Sequence, residues 1–310
     1  MAAIDCGTNS IRLLVADLLS SDGEQLTDLV RRMEIVRLGE DVDRTGRLSA
    51  AAIERTQRAL ADYAAQIRQL GAERIRMVAT SASRDAANAD EFTAMVVDTL
   101  GVAPEVVTGL EEARLSYTGA VRGLPADTRP PYLVVDIGGG STEFVVGHQR
   151  EEPTQVQVQA ASVDIGCVRM TERHLHHDPP TPEQVAACEA DITAAVDRAL
   201  AAVDGTSAAT LVGLAGSVTT VAGLALDLPA YQPERIHHAR ISYQRVAEVT
   251  QQLLEMPRAR RQALPVMHPG RADVIGAGAL ILRLVMERAG ATEVIASEHD
   301  ILDGIAWSLA

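Results

Sequence analysis

The sequence predicts an α/β protein of two domains, each a mixed five-stranded sheet with helices on both faces, with a cleft between them. Three observations predict it. A strand–turn–strand pattern is written twice, at Asp5-Cys6-Gly7-Thr8-Asn9-Ser10 and at Asp136-Ile137-Gly138-Gly139-Gly140-Ser141, each between two apolar runs. After each copy, helical and strand periodicities alternate. Hydrophobic residues make up 47% of the 310 but aromatics only 3%, so the core is Ala, Leu, Val and Ile, which suits helices packed on sheets. The domains are expected at 1–124 and 125–310, with the terminal helix packing back on the first domain.

The elements follow in order. A hairpin is expected over 2–18 and a further strand near 28–38. Ser49 then caps a helix in which Ile53, Leu60, Tyr63, Ile67 and Leu70 keep helical spacing and which Gly71 ends. Arg74 to Ala79 reads as a strand, and Thr80-Ser81-Ala82-Ser83-Arg84-Asp85 opens a helix. A helix over 89–100, a strand at 105–108 and a helix over 111–119 follow. Gly119 to Pro131 has hinge composition, with Gly123, Pro125 and Pro130. The second copy restarts the series: strands at 132–135 and 142–147, a strand near 155–163 and a helical stretch after Gly166. Thr181-Pro182-Glu183-Gln184 opens a long helix with a capping box and Pro at the first helical position. A buried strand Thr210–Leu214, the turn Ala215-Gly216-Ser217, helices over 243–256 and 272–290, a strand 293–296 and a helix from Asp300 complete the chain. The Gly turns lead into strands, not helices, which excludes a Rossmann fold.

Composition removes several chemistries. All 28 basic residues are arginine. Without lysine there is no P-loop, no protein-kinase lysine and no Schiff base. The net charge of −14 argues against nucleic acid as partner, and any polyanionic ligand needs a local arginine cluster or divalent cations. No apolar run approaches the ~20 residues that span a bilayer, so no membrane association is expected. Three scattered cysteines, Cys6, Cys167 and Cys188, fit a reducing cytoplasm.

The residues of the repeat suggest where phosphate binds. In register, Asp5 aligns with Asp136, Gly7 with Gly138, Ser10 with Ser141 and Val15 with Val146. Amides of Gly138, Gly139 and Gly140 with the Ser141 hydroxyl suit phosphate oxygens, because no Cβ blocks approach. Thr8, Asn9 and Ser10 are the matching grip of the first copy. Arg84, after a Ser/Thr-rich strand end, is the cation best suited to a transferring phosphoryl group. Arg12 and Arg169 are candidates for more distant phosphates. Asp136 and Glu143 lie across a hairpin turn and suit Mg²⁺, with Mn²⁺ as the alternative; Asp5 is the equivalent in the first copy, for metal or water. An outward-facing strand position is the plainer reading of Glu143. His174, His176, His177 and Asp178 read as a polar helix end, not a metal cluster, and His237-His238 is treated alike.

The successive phrases Asp5–Ser10, Ala79-Thr80-Ser81-Ala82-Ser83-Arg84-Asp85-Ala86, Gly109-Leu110-Glu111-Glu112-Ala113 and Asp136–Glu143 occur in an order that resembles the exopolyphosphatase/guanosine pentaphosphate phosphohydrolase (Ppx/GppA) family. Gly166-Cys167-Val168-Arg169 and Gly213–Ser217 resemble further family segments. The resemblance implies two actin-like (RNase H-like) domains and Mg²⁺-dependent removal of the terminal phosphate from inorganic polyphosphate, with release of orthophosphate. It assigns to Glu112 the role of catalytic base, leaving Glu111 as support. The longer members' C-terminal helical domains are absent, so short chains are the expected substrate. Ser297-Glu298-His299-Asp300-Ile301-Leu302-Asp303-Gly304 departs from the family's usual Arg-Glu-Gly version. Rival readings are hydrolysis of pppGpp to ppGpp, a non-catalytic alarmone sensor, and an actin-like small-molecule kinase. A homodimer is expected on general frequency alone.

Overall fold

The computed structural model describes residues 1–18, 26–148 and 158–310. The chain forms two compact units: Met1–Gly119 with Ile301–Ala310, and Ala120–Asp300. The boundary expected at 124/125 falls instead in the last turn of helix Gly109–Val121.

The first unit holds β1 (Ala2–Cys6), β2 (Ser10–Leu18), β3 (Leu26–Ile35), β4 (Ile75–Ala79) and β5 (Glu105–Val106), in the order β3-β2-β1-β4-β5. β1 runs antiparallel to β2 and parallel to β4. Alternation along β1 explains why both faces of this sheet are covered. Ala2, Ile4 and Cys6 pack with Leu60, Tyr63 and Ile67 of helix Ala50–Gln69 and with Phe92 and Val96 of helix Ala89–Leu100. Ala3, pointing the other way, joins Leu14, Ala16 and Val78 under Leu115, Ile301, Leu302 and Ile305. The terminal helix Ile301–Trp307 thus closes the first sheet. It is held there by buried Asp303, which accepts from Arg31 Nη1 at 3.2 Å and Nη2 at 2.5 Å. Ser49 caps helix Ala50–Gln69 by accepting from the Ala52 amide, and Gly71 follows it with φ +67°.

The second unit holds β6 (Tyr132–Ile137), β7 (Thr142–Gly147), β8 (Val158–Val163), β9 (Thr210–Leu214), β10 (Arg240–Ser242) and β11 (Glu293–Ala296). Their order is β10-β11-β9-β6-β7-β8. The sheet therefore has six strands where five were expected. The extra one is the edge strand β10, three residues long and polar at both ends, too short to leave a periodic signal. Residues 155–157 of the expected strand near 155–163 lie outside the described residues; Val158–Val163 is strand. β6 and β7 are buried along their whole length, as a central pair covered on both faces requires. Helix Pro182–Ala202 opens with the full capping box between Thr181 and Gln184.

The duplication is visible in the pairing. β1 pairs antiparallel with β2 and parallel with β4; β6 does the same with β7 and β9. Asp5 sits opposite Arg12 and Val78, and Asp136 opposite Glu143 and Leu214. Among the described residues, no helix is long and apolar enough to cross a membrane.

Candidate functional site

Each repeated turn is closed by the same hydrogen bond, Gly7 N to Ser10 O at 2.9 Å and Gly138 N to Ser141 O at 3.1 Å. What lies behind each turn decides what it can bind. In the first unit, Thr8 O accepts from Gly39 N, and Asn9 O accepts from both Val36 N and Arg37 N. In the second, Gly138 O accepts from Cys167 N, Gly139 O from Val168 N and Arg169 N, and Gly140 O from Arg169 Nε. The carbonyls are thus tied backwards. The amides of Thr8, Asn9, Gly139 and Gly140 donate to no protein acceptor among the described residues. Successive unbonded amides make a cradle of partial positive charge for an anion.

A glycine stands behind each cradle. A Cβ on Gly39 would lie 2.3 Å from Thr8 Cγ2, and one on Gly166 would lie 2.3 Å from the Gly139 carbonyl carbon and oxygen. The first turn is further fixed by Thr8 Oγ1, 2.8 Å from Ser81 Oγ in a buried contact. Asn9 Oδ1 is buried and has no hydrogen-bond partner among the described residues, so this side chain keeps an acceptor for a donor-bearing ligand or water. Ser10 begins β2 and Ser141 is buried at the end of its turn.

The hairpins carry opposite charge patterns. Asp5 Oδ2 receives both Arg12 Nε at 2.9 Å and Arg12 Nη2 at 2.6 Å, so the first hairpin is an ion pair across the ladder. At the equivalent pair in the second hairpin stand two carboxylates, Asp136 and Glu143, both buried, on the same face of adjacent strands. Glu143 Oε1 accepts from Ser162 Oγ at 2.7 Å, opposite it on β8. Two buried like charges facing each other favour a bound cation. Hard oxygen donors of this kind fit Mg²⁺, which takes one or two carboxylates and keeps its waters. Asp5 is engaged by the Arg12 guanidinium across the ladder. The expected place for Arg12, on distant phosphates, is filled instead by this bond to Asp5. The Arg169 guanidinium, expected there too, bonds Gly140 O at 2.7 Å.

Glu112 lies in the first turn of helix Gly109–Val121, its amide bonded to Thr108 O, and it is 8% exposed. Arg84, in the short helix Ser81–Asp85, donates from Nη1 to Glu112 Oε2 at 3.0 Å and to Val107 O at 3.0 Å. Its guanidinium therefore orients Glu112 directly. Glu111, one residue earlier and so turned away around the helix, is exposed and bonds Arg76. His174 bonds Asp191, His177 bonds Gln184, and Asp178 accepts the Arg258 amide. These groups go to separate partners. Among the described residues no three His, Cys, Asp or Glu side chains form a group able to hold a metal ion.

Sequence reading missed Ser81 and Gly39, because each acts on a turn far away in the chain. It also missed Arg271. Ala215-Gly216-Ser217, expected as a turn, is already helix (Ala215–Ala225), beginning at Ala215 with φ +67°. The Arg271 guanidinium lies over this point; a Cβ on Gly216 would sit 2.1 Å from Arg271 Nη2. Arg271 Nη1 donates to Thr220 Oγ1 at 2.8 Å.

Fold and turns together define a duplicated α/β protein with one hairpin turn in each half whose backbone amides are left unbonded among the described residues. The Ppx/GppA phosphatase family matches residues 18–310, and the chain belongs to that family. It is 50% identical over its full length to exopolyphosphatase 2 of Mycobacterium tuberculosis, covering 98% of that protein. Among solved structures, an exopolyphosphatase-like protein superposes with a TM-score of 0.93 at 42% identity, over 99% of this chain and 98% of that one. The Aquifex aeolicus Ppx/GppA family member gives 0.81 at 32%, over 99% and 96%.

Proposed function

We propose that this protein is an exopolyphosphatase, releasing orthophosphate from the terminal phosphoanhydride of inorganic polyphosphate, with short chains as substrate. The observation that carries this reading is the pair of backed turns, whose carbonyls are bonded away and whose amides are left for an anion. Membership of a phosphatase family and 50% identity to a protein named exopolyphosphatase 2 support it. Three buried free thiols support a cytoplasmic location; a homodimer rests on general frequency.

The proposed roles follow from what each group touches. Thr8, Asn9, Ser10, Gly138, Gly139, Gly140 and Ser141 bind phosphate oxygens through amides and hydroxyls. Glu112 is the general base: it takes a proton from the water whose oxygen attacks the terminal phosphorus, while the bridging P–O bond breaks and the shortened chain leaves. Arg84 keeps Glu112 aimed. Asp136 and Glu143 hold Mg²⁺, and Asp5 supports the first turn through Arg12 or contributes to metal or water. When bound, the metal supplies positive charge that offsets the phosphoryl oxygens.

The test is orthophosphate release with Mg²⁺ from tripolyphosphate, long-chain polyphosphate, pppGpp and ATP. Wild type is expected to favour tripolyphosphate. Glu112→Gln is expected to lower kcat by about 10³-fold while KM changes little, as loss of a general base does. Inactivity of the wild type on every substrate sinks the hydrolase reading; a preference for pppGpp replaces polyphosphate with the alarmone.

A further inference from the structure

The first turn and Glu112 belong to the same unit, and one short helix touches both. β4 lies between β1 and β5 and runs parallel to each, with Ala79 beside Cys6 on one side and Val106 on the other. β1 leads into the Gly7–Ser10 turn, and β5 leads into the helix that carries Glu112. Thr80 N donates to Cys6 O at 3.2 Å, and Ala79 O accepts from Val107 N at 3.1 Å. Helix Ser81–Asp85 therefore leaves the sheet between the two.

Two side chains of that helix reach in different directions. Ser81 Oγ lies 2.8 Å from Thr8 Oγ1, and both residues are buried. Arg84, three residues on and so a neighbour on the helix surface, donates to Glu112 Oε2 and Val107 O. Arg84 N bonds Thr80 O at 3.0 Å and closes the turn of backbone between them. The Thr8 hydroxyl and the Glu112 carboxylate are thus joined by two side-chain hydrogen bonds and one helical turn. The backing of the first turn meets the same helix: a Cβ on Gly39 would lie 3.1 Å from Ala82 Cβ.

We propose that Ser81 is a positioning residue of the reaction, setting the register between the first phosphate turn and Glu112. This deepens the exopolyphosphatase reading given above and rests on it. A hydroxyl carries one proton and two lone pairs. Phosphate oxygens accept, so a Thr8 hydroxyl that serves the anion gives its proton outward and takes that of Ser81. An anion in the turn thus fixes the direction of the Ser81–Thr8 bond, and the helix carries that constraint to Arg84 and Glu112. Misplacing a reacting group by about 1 Å costs about 10²-fold in rate, so the loss of one such hydroxyl is read in kcat.

The experiment measures steady-state hydrolysis of tripolyphosphate with Mg²⁺ by Ser81→Ala alone and in Thr8→Val and Arg84→Gln backgrounds. Alone, Ser81→Ala is expected to lower kcat about tenfold and to change KM less than about threefold. In either background it should cost less than about twofold, since the path it serves is already cut. Urea unfolding of each variant reports the fold separately. Equal losses in all three backgrounds, a rise in KM without loss of kcat, or a kcat loss matched by a fall in the fraction folded overturns the role. Hydrogen exchange supplies a readout free of turnover. Tripolyphosphate should slow the Arg84 and Glu112 amides in the wild type, and in Ser81→Ala should slow only those of Thr8 and Asn9. Normal wild-type turnover, with the slowing at Arg84 and Glu112 unchanged in Ser81→Ala, removes the positioning role and leaves the exopolyphosphatase reading standing. No turnover by the wild type, with that slowing present and lost in Ser81→Ala, does the reverse.

Discussion

At the scale of single residues, the equivalence of Arg12 and Glu143 organises the site. Both occupy the position opposite the repeated aspartate, and one neutralises it while the other doubles its charge. The aspartates and glycines of the repeat were legible because the two copies align residue for residue. The Arg12–Asp5 bond was not read, because cross-strand neighbours emerge only once the hairpin register is known. Arg84 was read as a phosphate ligand, yet its guanidinium is on Glu112 and Val107 O. Arg84→Gln is therefore expected to act through Glu112, the proposed base: kcat on tripolyphosphate falls about 10–100-fold, and steady-state kinetics should show a smaller change in KM. The glycines behind the turns differ in what they would strike. Gly166→Ala meets backbone atoms of Gly139 and Gly140, whereas Gly39→Ala meets chiefly the Thr8 methyl, a side chain able to rotate. Gly166→Ala should cost about 2–3 kcal/mol in urea unfolding and abolish most activity, with Gly39→Ala nearer 1 kcal/mol.

At the scale of elements, helices and their caps were the most legible part of the chain. Ser49 and Thr181 stand where a side chain accepts from the third residue on, and both do so in the structure. Thr181→Ala removes one half of the capping box and should lower the free energy of unfolding by about 1 kcal/mol, leaving turnover untouched. A chemical denaturation curve with unchanged slope and an earlier midpoint checks this. The short edge strand β10 was the least legible: it has three residues and is defined by its neighbour, not by a pattern of its own, whereas the strand expected at 105–108 is present as Glu105–Val106. The segment 36–39 and the start of helix Cys167–His174 carry the turns, but only their contacts across long sequence separations reveal it.

At the scale of the whole molecule, the last helix matters more than its seven residues suggest. Ile301, Leu302 and Ile305 cover one face of the first sheet, and Asp303 is the buried partner of Arg31. Burial alone would lower the Arg31 pKa; the charge and hydrogen bonds of Asp303, with those of Asp28, outweigh it and raise the value above the ordinary one. Deleting 301–310 removes about 5 kcal/mol of apolar burial as an upper estimate and leaves Arg31 with the exposed Asp28 in place of a buried carboxylate. Calorimetry should show the first unit melting well before the second. The thiols provide a check on packing in both units. Burial pushes Cys6 and Cys167 up, and Cys188 up to about 12. A raised pKa keeps a thiol protonated at pH 8 and so unreactive. Ellman's reagent should find almost none of the three in the native protein and all three in guanidinium chloride.

The supports behind the two turns also differ in stiffness. Behind Thr8 and Asn9 lies an irregular strand exit in which Arg37 and Asp41 hold φ values of 51° and 63°. It is pinned from helix Ala50–Gln69 by Arg55, which donates to Val36 O, Arg37 O and Glu40. Behind Gly139 and Gly140 lies the first turn of a helix, with three consecutive amides on the turn's carbonyls. Native-state hydrogen exchange should find Val36, Arg37 and Gly39 opening at lower free energy than Cys167, Val168 and Arg169. One turn then rests on a backing that yields under load, and the other on a backing that a helix holds rigid.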